Sequence, residues 1–208
     1  MYFIDWCDLN MNPKIEKLVK QFAKLPRVGN RAAQRIVLSL LQDKTGRIEK
    51  LVDALVDANE NVHACPICGV LTDRSAERCE YCSDIARANS MLCVVRDLSD
   101  VWTFEKSGVF GGRYHIIGGL LSGVAGVTPE DLNLANLPAR IANEKISEII
   151  FALPNTIEGK TTQQYIMSII DNANIRFSEL ASGVPLGGEL DYIDDGTLSL
   201  AFGGRRTI

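Results

Sequence analysis

CPICGVLTDRSAERCEYC, residues 65–82, sets two Cys-x-x-Cys pairs ten residues apart, and its reading decides how the middle of the chain folds. Two intervening residues let a tight turn aim both sulfurs of a pair at one centre, and two such turns grip a single tetrahedral ion from opposite sides. Gly69 supplies the backbone freedom that such a turn asks for. Zinc suits a cage of four thiolates better than any hard cation does. The expected ligands are Cys65, Cys68, Cys79 and Cys82, holding one structural Zn2+ per chain with no coordination position left for an activated water. Disulfides are one alternative, but the opening MYFIDWCDLN carries no positive flank ahead of an apolar run, so a reducing cytoplasmic setting is expected. A redox Cys-x-x-Cys is another, and such motifs ordinarily stand singly. His63 reads as a bystander, Cys7 as unpaired and Cys93 as packing within a strand.

On the amino side of the cysteines the pattern is helical. Ile15, Leu18, Val19, Phe22 and Leu25 recur at helix spacing, with Asn12 placed to cap and Pro13 at the first helical position. Pro26-Arg27-Val28-Gly29 interrupts the period, Asn30 is placed to cap a second helix, and Ala33, Ile36, Val37, Leu40 and Leu41 resume it. A third helix follows Thr45-Gly46, with Ile48, Leu51, Val52, Leu55 and Val56 on the side expected to be buried.

Charge separates this segment from the rest. The net charge is -4, which by itself disfavours a phosphate-binding role, yet residues 11–50 carry ten basic and three acidic side chains, a local +7 that leaves -11 elsewhere. A cationic helical pair can be no more than a solvated face. The hairpin Leu25-Pro26-Arg27-Val28-Gly29-Asn30-Arg31, however, resembles a helix-hairpin-helix motif, in which turn amides and a helix N-terminus face a backbone phosphate. Candidate DNA-binding residues are Arg27, Val28, Gly29, Arg31 and Arg35. Arg31 and Arg35, four apart, share one helix face. Arg27 stands where the motif usually has its first glycine.

On the carboxyl side, strands predicted at 91–95, 114–117, 148–153 and 175–180 alternate with helical stretches at 97–107, 128–143 and 158–174. That alternation implies a parallel sheet covered on both faces. The tail from Gly183 is glycine-rich, then acidic. No apolar run is long enough to cross a bilayer.

The ordered set of hairpin, four cysteines and α/β segment resembles the bacterial recombination mediator family RecR. The resemblance extends to Gly112-Arg113-Tyr114-His115, Gly118-Gly119-Leu120-Leu121-Ser122 and Ala181 through Tyr192 with Thr197-Leu198. It implies an α/β multi-domain protein: an extension at 1–10, a helix-hairpin-helix unit at 11–63, a C4 zinc finger at 64–88, a Toprim domain at 89–185 and an oligomerisation segment at 186–208. It further implies a clamp-like homotetramer on DNA without sequence preference, in the cytoplasm and nucleoid, acting with RecO, and in many organisms RecF, to load RecA on gapped DNA.

A Toprim enzyme holds magnesium with a glutamate after its first strand and an Asp-x-Asp after a later one. Here Arg96 follows the first strand, and Leu153-Pro154-Asn155-Thr156-Ile157-Glu158 carries one carboxylate. A binding role without catalysis is therefore expected. The alternatives are a magnesium-dependent Toprim nuclease or topoisomerase-like enzyme, and a zinc-stabilised adaptor that binds only proteins.

Overall fold

A computed structural model of the protein describes residues 12–43, 45–87, 90–170, 174–181, 183–184 and 187–204. The expected extension at 1–10, with Cys7, lies outside them, as do parts of the carboxyl tail including Arg205 and Arg206. The chain forms two compact units, residues 1–61 and 62–208.

The first unit holds α1 (Pro13–Phe22), α2 (Asn30–Gln42) and α3 (Arg47–Asn61). Asn12 caps α1 through its side chain, which accepts from the Lys14 amide at 2.9 Å, with Pro13 in the first turn. Val19 of α1 buries against Ala33 and Val37 of α2, and Ile15, Leu18, Phe22, Ala23 and Val28 close over them. Two expectations are corrected here. The cap of α2 is Gly29, extended at φ -80° and ψ 167°, so Asn30 already lies in the helix. The apolar side of α3 is not covered: the helix buries no residue, and Leu55 is 62% exposed. Periodicity reports which face is apolar, not what covers it.

In the second unit β1 (Val62–Ala64) and β2 (Leu71–Asp73) form an antiparallel ribbon, followed by the one-turn α4 (Glu80–Ser83) and a 3-10 turn at Ile85–Arg87. The α/β part runs β3 (Met91–Val95), α5 (Leu98–Ser107), β4 (Arg113–Ile116), α6 (Leu137–Asn143), β5 (Glu148–Ala152), α7 (Ile157–Ile169) and β6 (Arg176–Glu179). A 3-10 turn at Leu190–Tyr192 precedes α8 (Asp195–Gly203). The four long strands pair in parallel in the order β4-β3-β5-β6. The helix-bearing connection expected at 128–143 consists of a 3-10 turn, Pro129–Asp131, and the short α6, separated where Leu132 turns to extended backbone at ψ 150°.

Alternation along β3 divides the core. Leu92 and Val94 face one way, with Ile149 and Phe151 of β5, Leu137 and Ile141 of α6 and Ile166 of α7. Cys93 and Val95 face the other, with Tyr114 and Ile116 of β4, Val101 of α5 and all four motif cysteines. The sheet is thus covered by α6 and α7 on one side and by α5 plus the cysteine module on the other. A strand buried on both faces needs an unbroken apolar run, which Leu92-Cys93-Val94-Val95 provides. The start of α5 is fixed by a reciprocal capping box between Asp97 and Asp100.

One polar side chain in this core is a titratable sensor of the fold. His115 of β4 is fully buried, accepts from Arg140 Nη1 at Nδ1 (3.1 Å) and therefore donates from Nε2 to the Asn133 carbonyl at 2.7 Å. Burial first, then the Arg140 charge, pulls its pKa down to about 4. Since the unfolded chain takes up this proton near 6.5 and the folded one near 4, the stability that neutral His115 contributes is complete above pH 6.5 and lost as pH falls towards 4. The loss expected on acidification is about 3 kcal/mol. Urea unfolding at a series of pH values checks this, and the Gln substitution of His115 is expected to flatten that limb.

Candidate functional site

The four sulfurs of Cys65, Cys68, Cys79 and Cys82 lie within 4.8 Å of one another, each cysteine buried to 4% exposure or less. Four sulfurs at about 2.3 Å from a tetrahedral zinc would stand about 3.8 Å apart, so the donor set fits that ion. Cys68 and Cys79 Sγ are 3.3 Å apart, far beyond the ~2.05 Å of a disulfide, and all the described cysteines are free thiols. The crowded sulfurs hydrogen-bond one another. Hydrogen bonding to Cys79, and then to Cys82, pushes the Cys68 thiol up, while the hydrogen bonds that Cys79 receives from Cys68 and Cys82 pull it down to about 2. Such a group either shares protons or closes on a cation. Cys93, by contrast, is pushed up to about 12 by burial and the nearby Asp100 carboxylate, an inert core thiol.

The geometry of the first knuckle follows from Gly69. Its φ is +79°, and a Cβ there would stand 3.0 Å from both the Ile116 carbonyl oxygen and Asn133 Nδ2. Only glycine admits this turn and this approach. The approach matters because β4 is the edge strand: the Ile116 amide donates to the Cys68 carbonyl at 2.8 Å, so the knuckle occupies the edge. A second anchor joins the module to α5. Arg87 donates to both Glu105 carboxylate oxygens, at 3.0 and 2.6 Å, and lies 5.2 Å over the Tyr81 ring, while Tyr114 Oη donates to Glu105 at 2.6 Å. Sequence spacing marked none of these contacts, since none follows a helix or strand period and Arg87 lies 18 residues from Glu105.

In the helical unit, Arg27, Arg31 and Arg35 are exposed and none is paired with a carboxylate among the described residues. Val28 is half-buried against the Val19 cluster and anchors the turn rather than presenting its side chain. The first backbone bond of α2 runs from the Ala33 amide to the Gly29 carbonyl, which leaves the amides of the first turn without helical acceptors, and no acidic side chain stands there. Space beyond Gly29 is open. A depression beside it is lined by Lys17, Lys20 and Lys24 of the α1 segment, by Asn30 and by the Glu16 carboxylate that pairs with Lys20.

Arg27 has φ +64°, in the left-handed region that favours glycine, the residue the motif usually has here. The turn carries a cation at a strain of about 1 kcal/mol. Arg27→Gly is expected to raise stability by about 0.5–1 kcal/mol while weakening binding to polyanions; urea midpoints and binding titrations on the same variant check both directions.

At the carboxyl ends of the parallel strands, Arg96 pairs with Asp97 at 3.0 Å, and Asp97 caps α5. Glu158 lies exposed in the first turn of α7. Among the described residues, the four cysteines are the one cluster of three or more metal-ligating side chains.

A cation-flanked helical hairpin, a four-cysteine module and a parallel sheet of this order define a multi-domain protein of the Toprim class with a helix-hairpin-helix unit. Family models bear this out: a Toprim domain model matches residues 90–181, the model "RecR, helix-hairpin-helix" matches 15–59 and "RecR, C-terminal" matches 183–206. The chain is 46% identical to the recombination protein RecR of Rhodospirillum rubrum, covering 94% of this chain and 98% of that one. It is 44% identical to RecR of Maricaulis maris (94% and 96% covered) and 43% to RecR of Paracoccus denitrificans (94% and 97%). The chain belongs to the RecR family.

Proposed function

We propose that this protein holds DNA during recombinational repair, as a clamp-like oligomer whose helical unit grips the phosphate backbone and whose zinc module is structural. The observation that carries the reading is the set of exposed, unpaired guanidinium groups of Arg27, Arg31 and Arg35 around a hairpin with free first-turn amides. Amides and cations placed this way contact phosphates and read no sequence. Val28 and Gly29 shape the turn, and Lys17 and Lys24 extend the cationic surface. Four buried sulfurs favour zinc over hard cations and leave no position for a substrate.

The self-association implied by family membership is supported by the apolar side of α3, where Leu51, Val52, Leu55 and Val56 are all exposed in the single chain. Ligand roles, homotetramer, domain limits near 63, 88 and 185, cytoplasmic and nucleoid location, and RecA loading with RecO and RecF complete the proposal. Binding without catalysis is favoured by Arg96, whose guanidinium occupies the strand end where a magnesium-holding carboxylate would be needed. No helix among the described residues is long and apolar enough to cross a membrane.

Replacing Arg31 and Arg35 together by Glu is expected to weaken DNA binding and to reduce the slope of log affinity against log salt by about 2, one unit per lost phosphate contact. Filter binding or anisotropy over a salt series reads both quantities. Unchanged affinity and slope would remove the DNA site from this hairpin.

A further inference from the structure

A zinc ion held by four thiolates carries a net charge of -2, and here the sulfurs are almost wholly withdrawn from water. A buried dianion needs hydrogen bonds and countercharge from the protein. Within the module the Cys82 amide turns back to the Cys79 carbonyl at 3.1 Å, closing the second knuckle. Cys82 is served from outside the module. Arg140 of α6, itself 5% exposed, directs Nη2 at Cys82 Sγ across 3.9 Å.

Every N–H of this guanidinium has an acceptor. Nη1 donates to the Tyr114 carbonyl (2.7 Å) and to His115 Nδ1 (3.1 Å), while Nε and Nη2 donate to Glu144 (3.0 and 3.5 Å). With the bond to sulfur these use all five donors. Glu144 does not cancel the charge, because Arg113 pairs with it at 3.0 Å and leaves Arg113, Glu144 and Arg140 together at +1. Arg140 reaches this position from the far layer. Leu137 and Ile141 of the same helix pack on the α7 side of the sheet, whereas Cys82 packs on the α5 side. The side chain therefore passes the β4 edge and joins the two layers at the metal.

We propose that Arg140 is the outer-sphere cation of the metal centre, a positioning residue that sets metal affinity and the electron donation of the Cys82 thiolate. The inference rests on the reading that the four cysteines hold a metal. A lysine has three donors and no fork, so it keeps the charge without serving sulfur, His115 and Glu144 together.

The test loads the full-length protein with Co2+ and Zn2+, alone and in competition with a chromophoric chelator. It compares the wild type with Arg140→Met, Arg140→Lys and Arg87→Met, the last cutting the other anchor of the module without touching sulfur. Arg140→Met is expected to lose 10–100-fold in metal affinity and to move the sulfur-to-cobalt charge-transfer band to lower energy. Arg140→Lys is expected to fall between it and the wild type. Arg87→Met is expected to lower the melting temperature with the cobalt band unmoved. Should Arg140→Met fail to fold, Arg140→Lys decides alone: a wild-type affinity and band overturn the proposal. Equal band positions in Arg140→Met and Arg87→Met also overturn it, leaving Arg140 as a packing residue. A wild-type protein that takes up neither ion overturns the metal reading itself.

Discussion

The knuckle carbonyl of Cys68, held 2.8 Å from the amide of Ile116, is the contact on which the second unit depends. An edge strand offers unpaired amides and carbonyls to any passing chain. In this protein the β4 edge is occupied from within, by a loop whose own shape is set by two cysteines and a left-handed glycine. The same module closes one face of the sheet, where Cys65, Cys68, Cys79 and Cys82 join the core of Cys93, Val95, Tyr114 and Ile116. Residues 62–87 are too few to bury a core of their own, so edge pairing and sheet packing hold the module, whose four convergent sulfurs could close on a metal.

Charge is then divided by unit. Among the described residues Arg27, Arg31 and Arg35 of the helical hairpin stay exposed and unpaired with carboxylates, whereas the arginines around the sheet are spent on internal work: Arg87 on Glu105, Arg113 and Arg140 on Glu144, Arg96 on Asp97. An acidic protein can therefore present a basic surface without a basic average. Arg27 carries the same division to its limit, since it keeps a charge in a backbone conformation that glycine would take without strain.

Much of this was legible in the chain. Two Cys-x-x-Cys pairs carry their geometry in their spacing, and the sulfurs do converge. The run Leu92 to Val95 announced a strand buried on both faces. Local rules failed where the partner is distant. Gly29 rather than Asn30 caps α2, a shift of one residue that propensity cannot resolve. The apolar side of α3 was read as buried because periodicity names a face and not its cover. Arg140 gave no signal at all: an arginine beside Pro138 in a short helix looks like surface, and only the sheet order brings it to Cys82, 58 positions earlier in the chain.

In the proposed reading, bound metal holds the sheet edge through the first knuckle. Amide hydrogen exchange of Ile116 and Ile117, with metal bound and after chelation, tests it directly, because Ile116 donates to Cys68 while its neighbour Ile117 donates to Val95 of β3. Chelation is expected to strip protection from Ile116 first and to leave Ile117 the slower of the two. Equal protection at both amides before and after metal removal would contradict it.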